Sequence, residues 1–485
     1  MRTILKNFRL VDENTDTTGT LIIENGFISE VFPDEPNALR GTIYENESVR
    51  LPENDNAAIV IDGKALASSG ELPLLMPAFV DLHAHFRDPG PHEKDAPFPA
   101  EVLESASLSA AAGGFGTVVC MANTNPPIDT IEKAAALKRR SDALSIIDLF
   151  PVLSLTKNME GKELSEIKII KGDSYIPLML SEDGKDLADD DLFLAAMEEA
   201  SRQDVPISCH CDLGGDEDSA VRRVIELGKK AGCHIHIAHV STKEALETIH
   251  RVKQQILTSG ADEPGFVLTC EATPHHLCLT EDNAKKLGEK TWGRVNPPLR
   301  SEEDRQALMH TLNYGVVDEK ELGEKNLDRF VFPPSSSYSE EVRQALIHEL
   351  NYGVVDAIAT DHAPHTAAGK EAGAPGFSGF ETAFAAVYTE LVRGGAGIDL
   401  KRLSSLMSAS PAWLLGRLDG GSRKRGHLHH GCWADLVIID PAVEWTVDPD
   451  TFKSRGKNSP FKGRKLFGKI LMTLHEGRVV YHCVE

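Results

Sequence analysis

The chain has 485 residues and a formal net charge of −23, with 26% charged and 41% hydrophobic residues. The acidic balance argues against a nucleic-acid partner, and the apolar content excludes a disordered chain. The chain shows neither the apolar core of a signal peptide nor an apolar window of membrane-spanning length, so we expect a cytoplasmic protein without a membrane partner. Its 8 cysteines lie mostly in apolar runs, which indicates reduced core residues rather than a disulfide framework.

Short β-like runs occupy both ends of the chain. Up to about residue 62 they alternate with Gly, Asn, Pro and acidic residues, and similar runs return after residue 420. Because the end resembles the beginning, we predict that the two pieces share one small sheet. The sequence therefore predicts a composite β-sandwich domain built from residues 1–75 and 421–485.

Residues 76–420 have a different sequence pattern, in which short apolar runs alternate with helix-length stretches rich in Ala and Glu. This pattern is typical of repeated βα units with a parallel sheet. Eight such runs over about 340 residues predict an α/β protein whose catalytic domain is a (β/α)8 barrel with insertions. The runs are 78–83, 117–121, 146–153, 176–180, 206–210, 234–239, 267–272 and 356–361.

An internal duplication lies before the eighth run. Residues 305–318 (RQALMHTLNYGVVD) and 343–356 (RQALIHELNYGVVD) share 12 of 14 positions at an offset of 38. Two copies are too few for a repeat array, and the barrel needs only one helix and one strand here. The second copy runs straight into the last predicted strand. We therefore expect the second copy to form the barrel helix, and a surplus of 38 residues near 305–342 to protrude.

Polar residues suited to a metal ion follow five of the predicted strands. The carboxyl ends of barrel strands meet on one face, where active sites lie. Taken singly, each residue is explained as well by a core histidine or a solvated acid. Together, imidazole and carboxylate ligands suit zinc, and six of them suit two ions that share a bridge. The six are His83, His85, Asp183, His210, His239 and Asp361.

Seven short runs carry a more specific signal. They are DLHAHFRDPG (81–90), MANTNPP (121–127), SEDG (181–184), AHVSTKE (238–244), TPHHL (273–277), NPPLR (296–300) and ATDHAPH (359–365). Their combination resembles the class I dihydroorotases of the amidohydrolase superfamily, over the whole barrel and both flanking sheet pieces. The resemblance implies an enzyme of de novo pyrimidine biosynthesis with two zinc ions per subunit. Its reaction would be the reversible cyclisation of N-carbamoyl-L-aspartate to L-dihydroorotate.

The resemblance also implies roles for the metal ligands. His83, His85 and Asp361 would hold one zinc ion, and His210 and His239 the other, while Asp183 would bridge both and Asp361 would also be the catalytic proton carrier. The family commonly has a TDDG run where this chain has SEDG, which leaves the role of Glu182 open. Relatives with a carboxylated lysine as the bridge raise Lys168 and Lys171 as alternatives to Asp183, which we prefer.

Substrate-binding residues are implied in the same way. Arg87 resembles the clamp for the substrate carboxylate, a role that suits its planar fork of donors. The other positions that match substrate contacts of the family are His85, Asn123, Asn296, His365, Pro375 and Gly376. Asn123 and Asn296 are also explained as turn-forming residues.

Several histidines and cysteines have a simpler interpretation. Strand alternation turns Cys209 and Cys211 away from the face that His210 uses, which favours core packing. His275 and His276 are expected to support the ligands rather than to bind metal. The run GHLHH (426–430) is expected to be a surface turn.

Two other functions compete with a dihydroorotase. One is another cyclic-amide hydrolase, such as an allantoinase or a dihydropyrimidinase, against which NPPLR and ATDHAPH argue. The other is an inactive dihydroorotase-like scaffold for aspartate transcarbamoylase, against which the intact set of six ligands argues. A homodimer and a complex with aspartate transcarbamoylase are the possible protein partners, beside the small-molecule substrate.

Overall fold

The computed structural model describes residues 2–34, 58–68, 70–90, 99–172, 175–259, 265–312, 353–416 and 424–483. None of the helices in these ranges has both the length and the apolar character of a membrane span.

The described strands fall into two groups, those at the chain ends and those of the central region. In chain order they are β1 (Arg2–Val11), β2 (Asp16–Glu24), β3 (Phe27–Pro33), β4 (Ala58–Asp62), β5 (Leu74–Pro77), β6 (Phe79–Ala84), β7 (Phe115–Cys120), β8 (Asp148–Pro151), β9 (Leu180–Ser181), β10 (Ile207–Cys209), β11 (His234–Ile237), β12 (Val267–Ala272), β13 (Ala357–Ile358), β14 (Leu436–Thr446), β15 (Lys465–His475) and β16 (Arg478–His482).

The helices lie mostly between the central strands. The described α-helices are α1 (Gly63–Leu66), α2 (Leu103–Ala112), α3 (Ile131–Leu144), α4 (Asp190–Gln203), α5 (Glu217–Ala231), α6 (Lys243–Ser259), α7 (Pro274–Cys278), α8 (Glu281–Leu287), α9 (Glu302–Thr311), α10 (Ala367–Glu371), α11 (Ala383–Val387), α12 (Leu400–Ser404) and α13 (Ser410–Gly416). Short 3-10 helices cover Lys157–Met159, Glu166–Gly172, Phe380–Thr382 and Pro449–Thr451, and π-helices cover Tyr388–Arg393 and Ser405–Ala409.

The two chain ends form one sheet, as predicted. Its described strands follow the order β16-β15-β14-β5-β1-β2-β3, with β4 paired to β1. The link between the ends is the antiparallel pair of β14 and β5, in which Leu436 lies opposite Pro77. Side chains from both ends, including Phe8, Leu10 and Ile438, share a small hydrophobic core of their own.

The central strands close into a barrel. Strands β6 to β8 form one parallel sheet and β9 to β13 another. Parallel bridges between Leu153 and Leu180 and between Ala84 and His362 join the two sheets at both edges. The eight described strands therefore confirm the predicted (β/α)8 barrel. Their residues are almost all buried, which explains why they read as short continuous apolar runs rather than as alternating ones.

Helix α5 illustrates how the sequence sets the barrel helices. The Asp216 carboxylate caps its start by accepting the Ser219 N–H at 3.0 Å, and Gly232 ends it with a φ of 57°. Val221 and Val224 are fully buried on its inner face, where the helix packs against β11. Capping and an apolar inner face thus place the helix directly behind a strand that leads to the site.

The structure differs from our expectation about which copy of the duplicated sequence packs in the barrel. Helix α9 belongs to the first copy, and its Leu308 and the following Leu312 are buried in the main core beside α6 and α7. The chain path then continues at the end of the second copy, where the Val354 N–H donates to Thr311 O at 3.2 Å. The expectation that the first copy protrudes is therefore wrong for its described residues 305–312, while residues 343–352 of the second copy lie outside the described part of the structure. The remainder of both copies, in residues 313–352, lies outside the described residues.

Asp304 gives a physical reason for this choice. Its carboxylate accepts the Ser301 hydroxyl at 2.6 Å, and the Lys243 N–H at the start of α6 donates to it at 3.0 Å. The equivalent position of the second copy, 38 residues on, is Val342, which has no acceptor. Ser339 matches the N-cap Ser301, so the first copy differs in carrying the Asp304 half of the capping box and the tie to Lys243.

Candidate metal centre

Six polar side chains converge at the carboxyl ends of the barrel strands. Each of them is at most 6% exposed. They are the six that the sequence predicts: His83 in β6, His85 just after it, Asp183 after β9, His210 after β10, His239 after β11 and Asp361 after β13. His239 and Asp361 have positive φ angles of 35° and 45°, so the backbone is strained where these strands end.

Two groups of potential ligand atoms lie within these residues. One is His83, His85 and Asp361, and the other is His83, Asp183 and His239, with all ligand atoms of a group within 4.8 Å of one another. In the first group, Nε2 of His85 lies 3.0 Å from Oδ1 of Asp361. In the second, Nε2 of His83 lies 3.2 Å from Oδ1 of Asp183. Each group offers enough ligands for one metal ion.

Asp183 lies between the histidines of the two predicted zinc sites. Its carboxylate oxygens are 3.5 Å from Nε2 of His85 and 3.8 Å from Nδ1 of His210. His210 in turn contacts His239, with Nδ1 2.9 Å from Nε2. A carboxylate in this position faces histidines of both predicted sites.

Hydrogen bonds at the Nδ1 atoms of His83 and His85 fix the orientation of these two imidazole rings. Nδ1 of His83 lies 2.9 Å from Oε1 of Glu271, and Nδ1 of His85 lies 2.8 Å from Oδ1 of Asn123. An oxygen acceptor at Nδ1 favours the tautomer with its proton there, which leaves the Nε2 lone pair directed at the centre. Nε2 of His83 is buried and makes no hydrogen bond to any described residue. A buried lone pair of this kind, beside carboxylates, fits a metal ion.

The pKa values of the centre follow from burial and from the facing charges. Burial opposes the charge of Asp183, but the facing His83 and His85 outweigh it and hold the pKa of that carboxyl well below its ordinary value. Burial and the neighbouring His210 and His83 hold the pKa of His239 well below its ordinary value. Asp183 and His239 are thus in the ionised and neutral forms that bind a metal, whereas Asp183 and Glu271 overcome burial and hold the pKa of His83 well above its ordinary value, so His83 would release a proton on binding one.

Both predicted asparagines touch this centre. Nδ2 of Asn123 donates to Oδ2 of Asp183 at 2.9 Å. Nδ2 of Asn296 lies 3.0 Å from Nε2 of His210. The structure therefore gives each asparagine a contact with a predicted ligand.

The other predicted substrate residues form a connected group. Nη2 of Arg87 lies 3.3 Å from Nε2 of His365, and that nitrogen lies 2.7 Å from the Pro375 carbonyl oxygen. Gly376 has a φ of 135°, and a Cβ there would lie 2.5 Å from Cβ of Ala363. Only glycine fits such a close approach. The loop of Pro375 and Gly376 thus packs against the segment that carries Asp361 and His365.

Glu182 and Lys168 lie away from the centre. Oε2 of Glu182 accepts the Thr156 N–H at 3.0 Å, and the Thr156 hydroxyl donates to its other oxygen. Lys168 is exposed, and the side chain of Lys171 lies outside the described part of the structure. Among the described residues, Asp183 is therefore the acidic side chain of the SEDG run that faces the histidines.

Cys209, Cys211 and His276 lie as the sequence predicts, whereas the GHLHH run is not the expected surface turn, because Leu428 within it is 2% exposed and packs in the small core of the sheet domain. Cys209 and Cys211 are buried in the main hydrophobic core. Nε2 of His276 lies 3.1 Å from the Pro297 carbonyl oxygen, so it supports the loop that carries Asn296. His427 lies near Glu13, with Nδ1 3.2 Å from its carboxylate, in the composite sheet domain.

Glu271 is a buried acid beside the centre that the sequence reasoning did not name. It is fully buried at the end of β12 and contacts both His83 and His236, the latter at 3.1 Å. Burial disfavours its charge, but hydrogen bonds from His236 and His83 outweigh burial and lower the pKa of Glu271 to about 2. The signal for it was an acid inside the apolar run VLTCEA.

Comparison with known proteins agrees with the barrel fold. Residues 74–480 match the family described as "Amidohydrolase family", so the class of protein is an amidohydrolase. The chain is 33% identical to a dihydroorotase from Clostridium botulinum, with 99% of this chain and 100% of the relative covered. It is 31% identical to a dihydroorotase from Aquifex aeolicus, with 99% of each chain covered. The chain belongs to the dihydroorotase family.

Solved structures show the same fold. An L-hydantoinase (dihydropyrimidinase) from Arthrobacter aurescens superposes with a TM-score of 0.72 at 23% identity and covers 100% of this chain and 97% of its own. A dihydropyrimidinase from Brevibacillus agri superposes with a TM-score of 0.71 at 19% identity, with 99% of this chain and 95% of its own covered. At these identities the likeness establishes the fold alone.

Proposed function

We propose that the protein is a zinc-dependent dihydroorotase, which interconverts N-carbamoyl-L-aspartate and L-dihydroorotate. The observation that carries this proposal is the juxtaposition of six buried ligand side chains with Arg87, two residues beyond His85. Identity of 31–33% to dihydroorotases along the whole chain supports the same substrate. A role in pyrimidine biosynthesis and a cytoplasmic location are part of the proposal and rest on the family resemblance.

We propose that two zinc ions bind per subunit. His83, His85 and Asp361 hold one ion, His210 and His239 hold the other, and Asp183 contacts both. Mixed imidazole and carboxylate ligands at buried positions support zinc over calcium or magnesium, which prefer oxygen ligands alone. Zinc in such a site supplies Lewis-acid activation of water and of the scissile carbonyl group.

The chain's own residues have separate tasks in this proposal. Asp361 accepts a proton from the attacking water and delivers it to the departing amide nitrogen, as a general base and then a general acid. Its Oδ1 lies 3.0 Å from Nε2 of His85, so the carboxylate lies within the centre rather than at its rim. His85, through Asn123, keeps the ring orientation that this contact needs.

Substrate recognition is assigned to the group around Arg87. Arg87 is 4% exposed, so a carboxylate bound to its guanidinium leaves most of its water behind and gains a charge-assisted pair of hydrogen bonds. His365, Asn123 and Asn296 contribute polar contacts, and the backbone of Pro375 and Gly376 borders the substrate ring.

The alternative cyclic-amide hydrolases differ in substrate, so a substrate panel tests the proposal. Zinc-loaded protein is assayed with L-dihydroorotate, dihydrouracil and allantoin. The proposal predicts hydrolysis of L-dihydroorotate and, at neutral to acidic pH, ring closure of N-carbamoyl-L-aspartate. Preferential hydrolysis of dihydrouracil or allantoin contradicts it, and zinc-loaded protein inactive on all three favours the scaffold alternative.

The protein partners are tested separately. We propose a homodimer and a complex with aspartate transcarbamoylase as the assemblies to examine by size-exclusion chromatography with light scattering. Activity of the isolated subunit, compared with activity after addition of the transcarbamoylase, shows whether a partner is needed.

A further inference from the structure

A buried lysine lies behind the loop of Pro375 and Gly376. Lys370 in α10 is 0% exposed, and its Nζ lies within hydrogen-bond distance of three backbone carbonyl oxygens. These belong to Arg294 at 2.8 Å, Ala374 at 2.9 Å and Gly376 at 2.9 Å. An ammonium group has three N–H donors, so each donor has one acceptor.

The three carbonyls come from two different walls of the barrel mouth. Arg294 precedes Asn296 by two residues in the segment that follows β12, whereas Ala374 and Gly376 flank Pro375 in the loop after β13. The two walls are also joined directly, because the Gly376 N–H donates to Arg294 O at 3.0 Å. Lys370 thus fastens the Asn296 segment to the loop of residues 374–376.

The loop of residues 374–376 contacts the residues proposed to bind the substrate carboxylate. The Pro375 carbonyl between the two anchored residues contacts Nε2 of His365, which in turn lies beside Arg87. On the opposite side, Nδ2 of Asn458 also donates to Gly376 O at 3.0 Å. A shift of this loop is therefore transmitted to the position of His365 and Arg87.

We infer that Lys370 is a positioning residue, which fixes the loop of residues 374–376 and thereby sets the affinity of the site for its substrate. This inference rests on the proposed function. Burial and the neighbouring Arg294 guanidinium lower the pKa of Lys370 to about 7. Burying an amine in this way is costly, and the three carbonyls offset that cost only while they remain in place. The ammonium and the loop geometry hence depend on each other.

The test compares Lys370→Met with Lys285→Met. Methionine has a similar length and no donor. Arg294 O and Gly376 O each keep another donor, so Ala374 O is the carbonyl that loses its described partner. Lys285 is an exposed lysine of α8 that pairs with Glu281 at 3.2 Å. We expect KM for L-dihydroorotate to rise about 10-fold in Lys370→Met, the factor that the loss of one hydrogen bond to a charged group carries. We expect kcat and zinc content to stay near wild type, and Lys285→Met to match wild type throughout.

A second measurement does not depend on the substrate. Hydrogen exchange of the Gly376 amide, which donates to Arg294 O, is expected to speed up in Lys370→Met and not in Lys285→Met. Lys370→Gln, which keeps two donors, is expected to be intermediate and replaces the methionine variant if that variant is insoluble. Unchanged KM and unchanged Gly376 exchange overturn the inference, as does a loss of zinc equal to the loss of activity. Inactivity of the wild type on dihydroorotate overturns the proposed function instead, while the exchange result still decides the role of Lys370.

Discussion

Nδ1 of His83 lies 2.9 Å from Oε1 of Glu271, although their strands, β6 and β12, are separated in the barrel by β13. The contact spans the barrel interior and holds the imidazole so that Nε2 faces Asp183. Glu271 also contacts His236, so one buried carboxylate fixes two histidines. An orienting carboxylate behind a histidine ligand raises its basicity toward a metal.

Glu271→Gln should weaken zinc binding without removing a ligand. The glutamine amide is uncharged, and its single oxygen cannot replace the two carboxylate oxygens that contact His83 and His236. We therefore expect zinc affinity to fall by about 10- to 100-fold. Competition with a chelator measures this affinity. Glu182→Gln is the matched control, because Glu182 contacts Thr156 and faces away from the histidines. Equal zinc affinity in both variants would show that Glu271 has no part in the centre.

Asp361→Asn separates proton transfer from metal binding. Asparagine keeps the size of the side chain and one oxygen ligand but cannot carry the proton. We therefore expect turnover to fall by about 10² to 10⁴, while most zinc is retained. Steady-state rates and metal analysis on the same preparation check both statements. Activity within a few-fold of wild type would remove Asp361 from the proton-transfer step.

Arg87 should set specificity through the substrate carboxylate. Dihydrouracil lacks that group and is expected to be a very poor substrate. Arg87→Lys should raise KM for dihydroorotate strongly, because an ammonium cannot reproduce the two parallel hydrogen bonds of the guanidinium. Efficient turnover of dihydrouracil by the wild type, or an Arg87→Lys variant with unchanged KM, would contradict this role.

The surplus segment should be dispensable for the barrel. Excision of residues 313–350 joins Leu312 to Asn351 and leaves one copy of the repeated sequence, with α9 and Asp304 in place. We expect this variant to fold, bind zinc and hydrolyse dihydroorotate. Circular dichroism, zinc content and turnover check the three points.

A second excision tests the reason why the first copy is used. Removing residues 301–338 also leaves one copy and keeps an N-cap serine, Ser339 in place of Ser301, but it places Val342 where Asp304 stands, so the Asp304 half of the capping box and its bond to the Lys243 N–H are lost. We expect a lower melting temperature than in the first excision. Insoluble protein from both excisions would mean that the barrel includes part of the segment.

The sequence predicted the fold and the convergence of the six polar side chains for a simple physical reason. A buried parallel strand appears as an apolar run, and the first polar residue after it lies at the mouth of the barrel, so His210 and His239 could be placed from sequence alone. Glu271 could not be placed in this way, because its contact with His83 joins two strands that are not neighbours in the barrel. Lys370 was also missed, since its partners are backbone carbonyls and leave no pattern in the sequence.

Choosing between the two copies of the duplication also needed the structure. Twelve identical positions gave no preference, and continuity with the last strand favoured the second copy. The decisive residue, Asp304, lies one position before the fourteen-residue match and acts through the Lys243 N–H of another helix. The contact between Asp304 and Lys243, which lie far apart in the sequence, therefore explains why the first copy packs in the barrel, although chain continuity favoured the second copy.

Zinc content measured together with dihydroorotate hydrolysis tests the central claim most directly. Six ligands exceed the four of one tetrahedral ion, so the wild type should contain about two zinc ions per chain. Asp183→Ala and His210→Ala should lose both zinc and turnover, and Lys285→Met should lose neither. Normal zinc occupancy in the two ligand variants, or full dihydroorotate hydrolysis by zinc-depleted wild type, would contradict the account.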